Sequence, residues 1–146
     1  MTGVCGFNGL YMAELLIKSG YAVRGTDLPD VDRACFAHLD IEFISADLTK
    51  PGTLDVVLRD VDVVFHPASI FDYLPSLDKM RRVNVEGTRN LLNAMKNNGV
   101  ARILHWSTVD VYGDPDARIY AHYRGPPQKS KKRISEIKMG TGTIGC

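Results

Sequence analysis

Gly3, Gly6 and Gly9 stand three residues apart in the stretch Thr2-Gly3-Val4-Cys5-Gly6-Phe7-Asn8-Gly9. This spacing constrains the chain more than any other feature. Glycine is needed where a chain turns tightly, where backbone must approach a pyrophosphate, and where a helix starts close against a sheet. A helix opening behind such a turn directs its free N–H groups at an anion. A glycine-rich turn without a ligand fits the same three residues, so the remaining chain must supply the context.

Leu10 to Ser19 is apolar around most of its circumference and reads as a buried helix stopped by Gly20. A short strand over Tyr21 to Thr26 follows and delivers Asp27, 24 positions after Gly3. In dinucleotide-binding folds an acid about 20 residues beyond the loop accepts hydrogen bonds from the adenosine ribose. A carboxylate there favours NAD over NADP, because it repels a 2′-phosphate. Asp27 with Leu28-Pro29-Asp30 also fits the start of a turn. Residues 31 to 39 suggest a short helix, and Ile41 to Ile44 alternates as a strand does, ending at Ala46-Asp47-Leu48. Thr49 offers a capping hydroxyl two residues before Pro51, ahead of a helix carrying Leu54, Val57 and Leu58 inward. The β-branched run Val61 to Phe65 predicts a central parallel strand ending at His66-Pro67-Ala68-Ser69. From Leu77 to Asn98, apolar and small residues recur every three or four positions, predicting a long amphipathic helix. Arg102 to Trp106 is a further strand, running into Ser107-Thr108.

Strand and helix patterns alternate over residues 1–113, which predicts an α/β fold with a doubly wound parallel sheet. Ligands of such sheets lie beyond the carboxyl ends of the strands, where Asp27, Asp47, His66 to Ser69 and Ser107-Thr108 all fall. Residues 114–146 lose the periodicity to prolines and glycines and read as an irregular tail. With 45% hydrophobic and 24% charged residues among 146, the chain suits one globular domain. A formal net charge of +1 gives no electrostatic reason for nucleic acid or an anionic membrane. Cys5, Cys35 and Cys146 have neither the number nor the spacing of a disulfide framework or zinc site, so no metal is expected and a cytoplasmic setting fits.

These motifs, in this order, resemble the extended short-chain dehydrogenase/reductase family, the NAD-dependent epimerase/dehydratase group that includes 3β-hydroxysteroid dehydrogenase-like members. Thr2 to Gly9 resembles the family loop T-G-x-x-G-F-x-G, with Asn8 in place of the usual aliphatic residue. The resemblance implies a Rossmann-type fold with NAD as cofactor. It places Gly3, Gly6, Phe7, Asn8 and Gly9 at the pyrophosphate, Asp27 at the ribose, Asp47 and Leu48 at the adenine, and Pro67, Ala68 and Ser69 beside the nicotinamide ribose. Asn84 to Leu91 is similar to the family helix N-V-x-G-T-x-N-L, which adds Asn84 to the cofactor site. The resemblance further implies hydride transfer at an alcohol of a sugar nucleotide or hydroxysteroid-like substrate, and a homodimer through the long helix around Gly87.

Family members use a tyrosine as general base, a lysine that lowers its pKa and binds the ribose, and a Ser/Thr hydroxyl that orients substrate. Thr108 aligns with the hydroxyl and Lys131 with the lysine. The tyrosine position of Y-x-x-x-K is Pro127, which can neither accept a proton nor donate one. Tyr120 and Tyr123 are followed four residues later by Arg124 and Pro127, so neither restores the motif. Non-catalytic nucleotide binding, or an inactive fragment, is the alternative reading. Only Met1 precedes the loop, where the family has its first strand, and no substrate domain follows; the expectation is a chain lacking both.

Overall fold

A computed structural model describes residues 1–71, 76–108 and 111 of the chain. Gly6 is extended (φ −78°, ψ 160°), and helix α1 (Phe7–Lys18) starts directly behind it. The helix ends at Ser19, and Gly20 turns the chain back at φ +85°, the stop expected there. Strand β1 (Val23–Gly25) pairs in parallel with β2 (Ile41–Phe43), Val23 opposite Ile41 and Gly25 opposite Phe43. The ladder continues past both strands, with Ile44 N–H donating to Gly25 O and Ala46 N–H to Asp27 O.

Two local expectations are corrected. In place of a helix over residues 31 to 39 there is one 3₁₀ turn, Ala34–Phe36. The Asp32 carboxylate takes the Ala34 N–H (2.9 Å), a local bond that competes with helix propagation. Thr49 caps nothing, because its N–H and hydroxyl both donate to Asp47 Oδ1 (2.9 and 2.7 Å). Pro51 instead opens a 3₁₀ turn, Pro51–Thr53, that leads into the short helix α2 (Leu54–Leu58).

Strand β3 (Val63–His66) pairs in parallel with β4 (Arg102–His105), His66 opposite His105. The crossover between them is the long helix the periodicity predicts. It begins as α3 (Leu77–Met80), capped by the Ser76 hydroxyl accepting from Lys79 N–H, widens into a π-helical segment over Arg81–Gly87, and continues as α4 (Thr88–Asn97). Gly87 lies in the wide turn against Leu48, where an added Cβ would come within 2.9 Å of the leucine Cβ.

Met1 and Thr2 lie between the two strand pairs and join them. The Met1 amino group donates to Arg24 O, Thr26 N–H donates to Met1 O (2.8 Å), and Thr2 N–H donates across to Phe65 O (3.0 Å). The resulting order is β2, β1, Met1–Thr2, β3, β4. Alongside Met1 the edges of β1 and β3 face a groove of about 760 Å³ lined by Val23, Arg24, Val63 and Phe65. Arg24 spans it, donating to Val57 O (3.2 Å) and to Arg59 O. Two apolar clusters flank the strand pairs, the larger of them reaching Ala46 beyond β2. Val4, Ala13, Val23 and Phe36 fill one. Ala46, Leu54, Val57, Leu58, Val64, Leu91, Ala94, Met95 and Val100 fill the other.

Candidate functional site

A cavity of about 660 Å³ opens at the carboxyl ends of β1, β2 and β3. The glycine loop forms its floor. Gly3 adopts φ +63° and lies so close to the next wall that a Cβ would meet Ala68 Cα at 2.9 Å. A Cβ on Gly9 would stand 2.0 Å from Gly3 O, so only glycine lets α1 start this near the turn. The loop is tied to the strand end by Asp27, whose Oδ2 accepts from Cys5 N–H (3.0 Å) while Oδ1 accepts from Leu28 N–H (3.0 Å). Each oxygen keeps a further lone pair for a hydroxyl donor.

Asp47 forms the facing wall. Burial alone would push its carboxyl up, but the Thr49 hydroxyl and N–H, with the Lys50 ammonium at 3.6 Å, outweigh this and hold it below the usual carboxylate range. The third wall, Pro67 to Ile70, is clamped from behind. Asn84 Oδ1 accepts from Ile70 N–H (2.7 Å) and its Nδ2 donates to Ile70 O (2.9 Å).

Beneath the loop lies a buried polar chain that sequence reasoning missed. His66 is 1% exposed, with Nδ1 2.7 Å from Thr2 Oγ1 and Nε2 3.0 Å from Thr88 Oγ1. The Thr88 hydroxyl donates to Asn84 O (2.8 Å), so it accepts from His66 Nε2–H. The other ring nitrogen, Nδ1, faces the Thr2 hydroxyl. Glycine loop, β3 and the wide turn of the long helix are therefore held by one hydrogen-bonded series.

Of the residues expected at a cofactor, Gly3, Gly6, Phe7, Asn8, Gly9, Asp27, Asp47, Leu48, Pro67, Ala68 and Ser69 all line this cavity. Asn84 is buried behind the wall, its amide engaged by Ile70. Thr108 follows β4 and is not among the lining residues; its carbonyl accepts from Val111 N–H (3.3 Å). Lys131, Tyr120, Tyr123 and Pro127 lie outside the described residues, as does the expected tail. Cys5, Val31, Lys79, Arg82 and Val83 also line the cavity and were not foreseen. Lys79, Arg82 and Val83 share one face of the helix at three- and four-residue spacing. No group of three or more His, Cys, Asp or Glu side chains suited to a metal occurs among the described residues, and none of their helices is long and apolar enough to cross a membrane.

The model of the NAD dependent epimerase/dehydratase family matches residues 1–132. The chain is 34% identical over 109 residues to the bovine (Bos taurus) sterol-4-alpha-carboxylate 3-dehydrogenase, decarboxylating, covering 75% of this chain and 30% of that protein. It is 32% identical over 124 residues to UDP-glucuronic acid decarboxylase 1 of Danio rerio, covering 80% of this chain and 28% of that protein. The chain thus spans about three tenths of the length of these curated relatives. Among solved structures, a dTDP-glucose 4,6-dehydratase from Streptomyces venezuelae with NAD bound superposes with a TM-score of 0.86 at 26% identity, over 98% of this chain and 48% of that one. The fold is accordingly the Rossmann-type doubly wound parallel sheet expected from the sequence.

Proposed function

Because the chain belongs to the NAD-dependent epimerase/dehydratase family, whose cofactor is NAD, we propose that it is the dinucleotide-binding part of an oxidoreductase, epimerase or dehydratase acting on an alcohol of a sugar nucleotide or hydroxysteroid-like molecule. The observation that carries this reading is the convergence of the glycine loop, Asp27, Asp47 and Pro67 to Ser69 on one cavity. Its lining fits the cofactor: Gly3 closes on Ala68 and Gly9 on Gly3, so the loop backbone lies bare of side chains at these two positions, and Asp27 has acceptor capacity left for ribose hydroxyls. NAD, when bound, supplies the hydride acceptor.

In this reading the loop amides bind the pyrophosphate, Asp27 orients the adenosine ribose, and Asp47 with Leu48 flanks the adenine. Pro67 to Ser69 borders the nicotinamide ribose, and Asn84 keeps that wall in position through Ile70. Thr108 orients the substrate hydroxyl, and Lys131 binds the nicotinamide ribose. Pro127 at the tyrosine position favours a second reading, a nucleotide-binding module without hydride transfer. Titration with NAD tests the shared premise: a real site raises the melting temperature as ligand is added, by about 2.7 kcal/mol of stabilisation at a hundredfold excess over Kd. No shift would remove both readings. Hydride transfer from a panel of alcohols to NAD, measured also on Pro127→Tyr, then separates them, since activity found only in the variant would favour the second.

A further inference from the structure

We infer that Lys79 and Arg82 form a cationic clamp that holds the pyrophosphate of the dinucleotide on the side away from the glycine loop. The inference rests on the cofactor reading above and assigns that site two further binding residues. Among the described residues lining the cavity, the ionised side chains are the carboxylates of Asp27 and Asp47 and the cations of Lys79 and Arg82. Lys79 lies in α3 and Arg82 in the π-helical segment that follows, three positions on, so both project from one face. Contacts just beyond Arg82 fix that face against the cavity. Asn84 grips Ile70 N–H and O (2.7 and 2.9 Å), Gly87 packs against Leu48, and Ile70 and Leu48 are themselves lining residues. Among the described residues, neither charged group makes an ion pair or a hydrogen bond. Lys50, the cation next to Asp47, is by contrast taken up by that carboxylate, and Arg89, later on the same helix, by Glu86.

A dinucleotide brings two phosphate charges into a cavity that already holds two carboxylates, Asp27 and Asp47. Loop N–H groups meet those phosphates from one side and carry only partial charge. Repulsion from the two carboxylates calls for full positive charge nearby, and Lys79 and Arg82 supply it from the lining itself. Their shapes divide the task. A guanidinium spans two phosphate oxygens with parallel N–H donors, whereas an ammonium acts as a point charge on a flexible stem. Both side chains are exposed, so solvent and salt screen them and the contribution of each is modest. A nucleoside without phosphates gains nothing from the pair, so the clamp sorts dinucleotides from nucleosides.

The test is calorimetric titration of the full chain with NAD at several salt concentrations, on Lys79→Gln, Arg82→Gln and the double variant, with Arg81→Gln as a control of equal charge change. Arg81 is exposed on the same helix and is not among the residues lining the cavity. Each cavity substitution should weaken NAD about three- to tenfold and reduce the dependence of affinity on salt, while Arg81→Gln does neither. Arg82→Lys should restore part of the loss seen with Arg82→Gln. Equal affinity in the unaltered chain and the double variant overturns the proposal. So does a loss with Arg81→Gln as large as with Arg82→Gln, which would mark the general field of the helix and no contact. Inorganic pyrophosphate is the second probe and separates this inference from the cofactor reading. Pyrophosphate bound by the unaltered chain and lost in the double variant, with no uptake of NAD, leaves the clamp standing and removes the cofactor reading; a chain that takes up neither removes both.

Discussion

Gly9 shows how a single missing methyl group sets the position of a helix. Its absent Cβ would fall 2.0 Å from Gly3 O, a backbone atom that cannot turn aside. Gly9→Ala should therefore cost on the order of 3 kcal/mol in urea denaturation, the upper range for overpacking. Asp27 is both a loop anchor and the proposed ribose acceptor, and the two roles separate by cofactor. Asp27→Ala should weaken NAD by about tenfold, the usual worth of a charged hydrogen bond, and NADP by much less; an equal loss would leave only the anchor. His66 bonds two hydroxyls directly. His66→Leu leaves the Thr2 hydroxyl without this partner, while the Thr88 hydroxyl keeps its bond to Asn84 O, and should destabilise by about 1–3 kcal/mol; adding Thr2→Val should recover part of the loss. A double variant no better than the single one would contradict this account of the loss. Spacing made Gly3, Gly9 and Asp27 legible in the sequence, because their partners lie within one loop–helix–strand unit. His66 was read only as part of a strand end, since its partners are 64 and 22 residues away.

At the scale of elements, periodicity located the helices and strands, and local side-chain competition decided where it failed. Asp32 and Asp47 each capture nearby donors that a helix start would have used. The long helix was legible as a helix, but its π segment was not, because one extra residue per turn leaves the three- and four-residue rhythm almost intact. The wide turn is what lets Gly87 reach Leu48 while Asn84 reaches Ile70. Gly87 is thus explained by a contact within its own chain. The edge of β1 carries a pH signature. In a polypeptide with a free amino group at Met1, burial first and the Arg24 charge second lower that amine from 8.0 to about 6. The unfolded chain then binds a proton between pH 6 and 8 that the folded chain does not. Stability should fall as pH drops from 8 to 6, by at most about 2.7 kcal/mol, with no further loss from this group below 6. Acetylating the amine should flatten that part of the profile, as followed by thermal melts across the range.

For the whole molecule, the sequence predicted parallel α/β architecture, and both strand pairs are parallel. It did not reveal that the apolar interior is divided. One cluster packs against β1 and β2, a larger one packs around β3, α2 and α4 and reaches Ala46 beyond β2, and a third joins Met80 and Val85. Only Met1 to Val4 and the Arg24 side chain bind backbone across the groove beside Met1 among the interactions described above. The chain therefore resembles two leaves joined along a spine, the start of the glycine loop, and again where Ala46 and Leu48 beyond β2 pack into the cluster around β3. Local opening of either leaf has its own free energy. A dinucleotide bound as proposed would touch Asp27 on one leaf and Ser69 on the other, so its binding energy would oppose the opening of both. Amides of β2 and β4, far from any ligand atom, should then exchange hydrogen more slowly by a common factor when NAD is added. Slowing confined to one leaf would mean that the spine transmits nothing across the groove.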